Sequence, residues 1–476
     1  MLQTLKNAWN TKELRNKILF TLMVLLLYRI GTVIPVPFVE ANAFAGRFDG
    51  TILGQMDLLS GGSLSTATIF ALGVSPYINA SIIIQLLAVV FPRLGELAKN
   101  DKEKMNLITR ITTVILAIVT AVGYYFLLRK GSGTKSALVN AADPAQNPGM
   151  AWFYGIVIIA CYCAGAAVVM WLGELINKRG IGNGISMILF ANIVSSLPSF
   201  VYKLVTLAVE TYHYSEKAWL YGIVSTAFGL AVIGALVALF IFVIWITGSE
   251  RRIPITYAKR VVGRKMYGGQ SQNLPIKLNM TGVMPIIFAS SIVSLIPTIL
   301  MLCGIDGSGT GFWQGTYRVL ASDGVVYPVS LFLLIIAFAY FYTQITFDPI
   351  EVSNNIKKQG GAIPGIRQGR PTADYIRKIL NKVTLVGALF LGIIAVLPVV
   401  SGPHIFQHLI EWIIEGSGLS YYISDGSIMT ISQGASTITG HLTFGGTSIL
   451  IIVGVVIETF RGLESELTMR NYKGFL

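Results

Sequence analysis

Residues able to do acid–base, nucleophilic or metal chemistry are few in this chain and poorly spaced for it. The four histidines (His213, His404, His408 and His441) fall in segments that link apolar runs. Cys161 and Cys163 are two apart on one run and so point to different faces of a helix, and Cys303 is remote. Neither a disulfide framework nor a metal set follows. No GxSxG, HExxH or GxxxxGK[ST] occurs, which disfavours an intramembrane protease and a nucleotide-driven pump. No catalytic residue, metal or cofactor is expected, and the chain reads as a non-enzyme. What the sequence does space with regularity is aliphatic side chains beside Gly and Pro, and basic side chains in loops.

The aliphatic pattern is an internal repeat. GVSPYINASII (73–83) aligns without gaps with GVMPIIFASSI (282–292), and seven of the eleven positions are identical. The two copies lie on the second and seventh apolar runs, five apart, so they enter a membrane from opposite faces. Inverted repeats with Gly/Pro-interrupted helices at equivalent places mark a central pathway at the repeat interface. Two Pro-kinked packing helices would give the same pattern. Around the breaks stand Val74, Ile78 and Ile287, and the only ionisable residue read within a run is Arg29. An aliphatic constriction binds no small polar solute, but it can close a pore by excluding water. A channel with an apolar collar is therefore expected. The alternative, a secondary transporter with inverted five-helix repeats, is disfavoured by the lack of intramembrane acids.

The elements that must position these residues are membrane spans. Of 476 residues, 53% are hydrophobic and 12% charged, and the mean hydropathy is +0.67. Soluble domains carry about 25% charged residues, so the chain is a polytopic membrane protein. Ten runs of span length lie near 18–37, 67–92, 107–128, 150–173, 185–207, 221–247, 283–303, 327–347, 383–400 and 444–463. The first is span-length and runs into Pro35 and Pro37, so it does not read as a cleavable signal. With residue 1 inside, the inner segments carry 28 of the 36 Lys and Arg and the outer ones 7. That bias places both termini in the cytosol and makes the net charge of +13 a cytosolic feature.

Two kinds of linking segment stand out. QMDLLSGGSLSTATI (55–69) is too short to span. Ile52, Met56 and Leu59 recur at helical spacing, and Gly61 and Gly62 then give a hinge. This segment (51–66) suits a short re-entrant helix or one lying on the outer surface. RRIPITYAKRVVGRKMYGG (251–269) opens with period-2 alternation, as in a hairpin, whose tip bears Lys259, Arg260, Arg264 and Lys265. The loop 353–372 ends in PGIRQGR, where Pro and Gly stiffen a turn presenting Arg367 and Arg370. Each loop carries more charge than orientation alone needs. In the basic-free outer segment 401–443, FQHLIEWIIEG suits either an interfacial helix or a cap on the outer face.

These motifs, in order and along nearly the whole chain, resemble the SecY family of channel-forming subunits of bacterial Sec protein translocons. They are YRIGTVIPVP (28–37), SGGSLSTATIFALGVSPYINASIIIQLL (60–87), WLGELINKRGIGNGIS (171–186), YAKRVVGRKMYGG (257–269), LPIKLNMTGVMPIIFASSI (274–292), GGAIPGIRQGRPT (360–372) and FGGTS (444–448). Gln368 departs from a frequent Pro, and 401–443 is longer than in many members. The resemblance implies an all-α fold of ten transmembrane helices in two inverted five-helix halves (1–210 and 211–476) around an hourglass pore. It implies a pore ring of Val74, Ile78, Ile185, Leu189, Ile287 and Ile451, with Val74 and Leu189 in place of the commoner Ile. It implies that 51–66 is a plug that fills the outer funnel and swings away. It implies SecE-like and SecG-like small subunits, the ribosome and the SecA motor ATPase at the basic loops, and passage of secretory and membrane precursors into or across the bacterial plasma membrane.

Overall fold

The computed structural model describes residues 2–40, 57, 59–130, 137–139, 150–213, 234, 237–257, 260–262, 265–267, 271–302, 305, 311–320, 326–400 and 446–473. In chain order the helices are α1 (Leu2–Asn10), α2 (Lys12–Gly31), α3 (Ser75–Val90), α4 (Pro92–Asn100), α5 (Lys102–Lys130), α6 (Ala151–Arg179), α7 (Gly184–His213), α8 (Val237–Thr247), α9 (Met284–Leu302), α10 (Phe312–Leu320), α11 (Val326–Thr346), α12 (Pro349–Lys358), α13 (Arg370–Val400) and α14 (Gly446–Lys473). A helix lies on each of the ten apolar runs. Among the described residues, four stretches are long and apolar enough to cross a membrane alone: Lys102–Arg129, Ala151–Arg179, Val326–Lys358 and Arg370–Leu397. A fifth is the bent pair Ser75–Val90 and Pro92–Ala98. The chain turns by 117° between them, because Phe91 precedes a proline and leaves the helical region (φ −101°, ψ 110°). Shorter apolar helical stretches are Gly184–Pro198, Val237–Thr247 and Met284–Leu300.

The second run corrects the sequence reading. It was expected to be helical from about 67, but α3 begins at Ser75, with Pro76 in its first turn. Residues 61–74 are turns, with Gly61, Gly62 and Gly73 at φ +71°, +85° and +53°. Their polar backbone groups find partners outside a helix. The N–H of Ile69 donates to Ile34 O at 3.0 Å, and the Tyr124 hydroxyl donates to Leu64 O at 2.5 Å. Gly165 lets this stretch approach, since a Cβ there would sit 2.0 Å from Ile69 O.

The fold is also not purely α. β1 (Glu250–Tyr257) pairs antiparallel with β4 (Ser271–Lys277) and with the two-residue β5 (Gly361–Ala362), while β2 (Arg260–Val262) and β3 (Lys265–Tyr267) close the tip. Ile253 and Ile255 of β1 are buried with Ile276, Ile363 and Ile376, which is the inward face that the alternation marked. The main core gathers α2, α3, α6, α7, α9, α11, α13 and α14 around one apolar cluster.

Candidate functional site

The repeat is repeated in geometry. Gly73 and Gly282 both stand in the left-handed region, at φ +53° and +66°. In the first copy Val74 O accepts from the N–H groups of Tyr77 and Ile78, both at 3.1 Å. In the second, Val283 O accepts from Ile286 and Ile287, at 3.1 and 3.2 Å. A glycine turn, a valine that caps the helix through its carbonyl, and a proline in the first turn thus start α3 and α9 alike. Equivalent side chains are buried equally: Val74 and Val283, Ile78 and Ile287, Ala80 and Ala289.

The six residues assigned to the ring belong to the single central cluster. Val74, Ile78, Leu189, Ile287 and Ile451 are at most 5% exposed, and Ile185 is half-buried against them. Many helix-packing residues share that cluster, so membership alone marks nothing. What sets Ile78, Ile185 and Ile287 apart is a cavity of about 300 Å³ that all three line. Its other walls are mixed: Gln85, Asn177, Asn183 and Tyr342 bring polar groups, and Met284 and Phe288 bring apolar ones. The Tyr342 hydroxyl donates to Gln85 Oε1 at 2.5 Å, and Gln85 Nε2 donates to Ser81 Oγ at 3.1 Å.

Two antiparallel helices order the levels. Along α7 come Asn183 at the cavity, then Ile185 and Leu189, then Asn192. Residues 185 to 192 cover about 10 Å at the helical rise. Along α3 the order reverses: Val74, Ile78, then Ser81 and Gln85 at the cavity. Beyond Leu189 and Val74 lie Asp57 and residues 59–65. The Asp57 carboxylate accepts from the N–H groups of Leu64 and Ser65, both at 2.9 Å, and Gly62 N–H donates to Asp57 O at 2.8 Å. Asn192 Nδ2 donates to Leu59 O at 2.7 Å. A cavity with polar groups in its wall, an aliphatic band and a tied segment are therefore stacked in that order. Ile52 and Met56 lie outside the described residues, while Asp57, Leu59 and Ser60 are helical.

The basic segments share one face. Ala8, Leu14, Ile181 and Leu463 pack together, and Lys17 Nζ holds Glu466 at 2.8 Å, which brings α1, α2 and α14 onto the 180–183 link between α6 and α7. Arg110 pairs in bidentate fashion with Glu174. Lys277 of β4 is near Arg461 of α14; burial first and that guanidinium second push its ammonium down, against Glu250. The two basic loops, read separately in the sequence, form one module through the β1–β5 pairing of Thr256 with Ala362 and Tyr257 with Gly361. Arg367 and Arg370 are exposed on it. Their turn is pinned by three bonds: Ser353 Oγ to Gly369 O at 2.7 Å, Thr372 Oγ1 to Arg367 O at 2.8 Å, and Gln368 Nε2 to Gly361 O at 3.0 Å. The last gives the unusual Gln368 a role. Arg260 and Lys265 lie on β2 and β3; Lys259 and Arg264 lie outside the described residues, as does 401–443.

Sequence reasoning missed several groups. Glu458 sits on α14 within the tenth run, so Arg29 is not the sole ionisable residue there, and the argument from missing acids loses force. Asn192, the Gln85–Tyr342 pair and the anchoring part of Asp57 also escaped notice. A lone amide or carboxylate in an apolar stretch was the available signal for each.

Known proteins place this architecture. The SecY family model matches residues 68–460. The protein translocase subunit SecY of Streptomyces coelicolor is 39% identical over 486 aligned residues, covering all of both chains. Among solved structures, a SecY channel whose plug domain stabilises the closed state and maintains a membrane seal matches at a TM-score of 0.57, with 18% identity, over 95% of this chain and 92% of that one. Sec61 from the canine ribosome–channel complex matches at 0.53, with 17% identity and the same coverages. Fold and site together define a multi-pass, mostly helical membrane protein with the protein-conducting-channel architecture. The chain belongs to the SecY family.

Proposed function

We propose that this chain is the channel-forming subunit of a protein translocase. It passes unfolded secretory polypeptides across the plasma membrane and releases hydrophobic segments sideways into lipid. The observation that carries this reading is identity of 39% with a translocase subunit SecY over the whole of both chains. The chain is a channel and catalyses no reaction, so the energy for movement comes from a partner.

The ten helices on the ten runs, taken as ten spans in two inverted halves, enclose an hourglass. The polar cavity is its cytosolic funnel, and Val74, Ile78, Ile185, Leu189, Ile287 and Ile451 form its waist. The 51–66 segment is the plug, and the left-handed Gly61 and Gly62 are its hinge. The match of Gly73 with Gly282, and of Val74 with Val283, supports the inverted halves. Packing of both chain ends on the face that carries the basic loops supports cytosolic termini. The joined basic loops serve as the dock for a SecA-like motor and for the ribosome. The likeness to Sec61 in a ribosome complex supports the second of these. SecE-like and SecG-like subunits complete the assembly on the strength of the family. The test is reconstitution with those subunits and the motor in vesicles: a secretory precursor should become protease-protected with ATP, and small polar solutes should stay out. Solute uptake without precursor protection would sink the reading in favour of a transporter.

A further inference from the structure

Asn192 is fully buried on α7 and has no part in the band that seals the channel. Its Nδ2 donates both to Tyr28 Oη at 2.9 Å and to Leu59 O at 2.7 Å. A carbonyl only accepts, so the amide nitrogen must face Leu59 and Oδ1 must point elsewhere. That oxygen is buried without a hydrogen-bond partner among the described residues, and so is Nη1 of Arg29. A Cβ on Gly61 would lie 2.6 Å from Arg29 Nη1 and 2.8 Å from Asn192 Oδ1. An unpaired donor and an unpaired acceptor thus close over the one residue type that leaves them room. Gly61 also holds φ +71°, which a side chain would strain.

We propose that Asn192, oriented by Tyr28 and joined by Arg29, is a latch that holds Leu59 and the Gly61–Gly62 turn beneath the aliphatic band in the resting channel. It is a positioning residue, and the inference rests on the plug reading. The chemistry suits a latch. A seated turn pairs the Leu59 carbonyl, which would otherwise be buried and unpaired. When a polypeptide displaces the turn, water in the opened pathway takes over these polar groups, so release is cheap. An apolar residue at 192 would leave the carbonyl unpaired in the seated state and would have nothing to exchange with water on release.

The test places Leu59→Cys in a protein whose three native cysteines are replaced by alanine, and follows maleimide labelling from the outer side of vesicles together with resting ion conductance. Asn192→Leu should raise both by about tenfold, the effect of one to two lost hydrogen bonds, while precursor export continues. Gly61→Ala should do the same without touching Asn192, and it decides the matter if Asn192→Leu does not accumulate in the membrane. Wild-type labelling and conductance in these variants, with deletion of 57–62 still opening the resting channel, would overturn the latch and leave the plug standing. If that deletion also left the conductance unchanged, the plug reading would fall and the latch with it.

Discussion

At the scale of single residues, Val74 and Val283 show how a backbone geometry can be written twice in one chain. Each carbonyl accepts two N–H groups at the start of a helix, and each side chain is buried in the same cluster. The repeat points at Val74, Ile78 and Ile287 as candidates for the proposed ring. It does not point at Ile185, Leu189 and Ile451, since an aliphatic residue in a span is ordinarily just packing, and only the family resemblance suggested them. Asn192 was invisible because its partners, Tyr28 and Leu59, are far away in sequence. Burying one aliphatic side chain is worth about 1.5–3 kcal/mol, so the band can hold the channel shut by several kcal/mol. A signal helix with ten leucines gains on the order of 5 kcal/mol in lipid. The two are comparable, so on the proposed reading a substrate of this kind would help to open its own path. Ile78→Asn or Ile287→Asn should therefore raise ion leak in planar bilayers and admit precursors with less hydrophobic signals. Unchanged conductance would remove these two from the ring.

At the scale of elements, period-2 alternation in RRIPITY announced β1, and a Pro-Gly turn announced the presentation of Arg367. The start of α3 was not legible. Residues 67–74 are apolar enough to read as helix, but Gly61, Gly62 and Gly73 turn the chain, and its polar groups bond to Ile34 and Tyr124 instead. Nor could the sequence show that the two basic loops share a sheet, because β5 has only two residues. That shared sheet gives the loops a fixed relative placement, which the proposed docking would use. Arg367→Glu should strongly impair motor-driven export, and Arg367→Lys should impair it measurably, because an ammonium cannot replace a guanidinium at a bidentate site. Loss of a charge-assisted contact costs about 1.5–3 kcal/mol, or tenfold or more in affinity. Wild-type export from Arg367→Glu at equal membrane abundance would reduce this loop to a topological signal. Ribosome and motor affinity should also fall with salt, as charged contacts at a surface do. Within the turn, Asp57→Ala removes the carboxylate that pins Leu64 and Ser65, and should loosen the seal with little loss of export. A variant as tight as wild type in conductance recordings would show that the turn holds without it.

At the scale of the whole molecule, membrane class and ten apolar runs were legible in composition, because lipid imposes them on any sequence. What composition could not show is how the ends meet. Lys17 and Glu466 bind α2 to α14, and both side chains are about one-third exposed, so the pair contributes only about 0.2–1 kcal/mol. Glu466→Lys should lower the thermal stability of the purified channel slightly, and Lys17→Glu in the same chain should restore it; failure of the double variant to recover would show that the pair is incidental. The central claim is that a polypeptide passes through the stacked cavity, band and turn. It is tested most directly by placing a photocrosslinking residue, one position at a time, at Ile78, Leu189, Ile287 and Ile451, and halting a secretory precursor in mid-transfer. The account predicts adducts to the precursor from all four positions. It predicts none from Val119, which is 61% exposed on the outside of α5. Adducts from Val119 with none from the four core positions would contradict it.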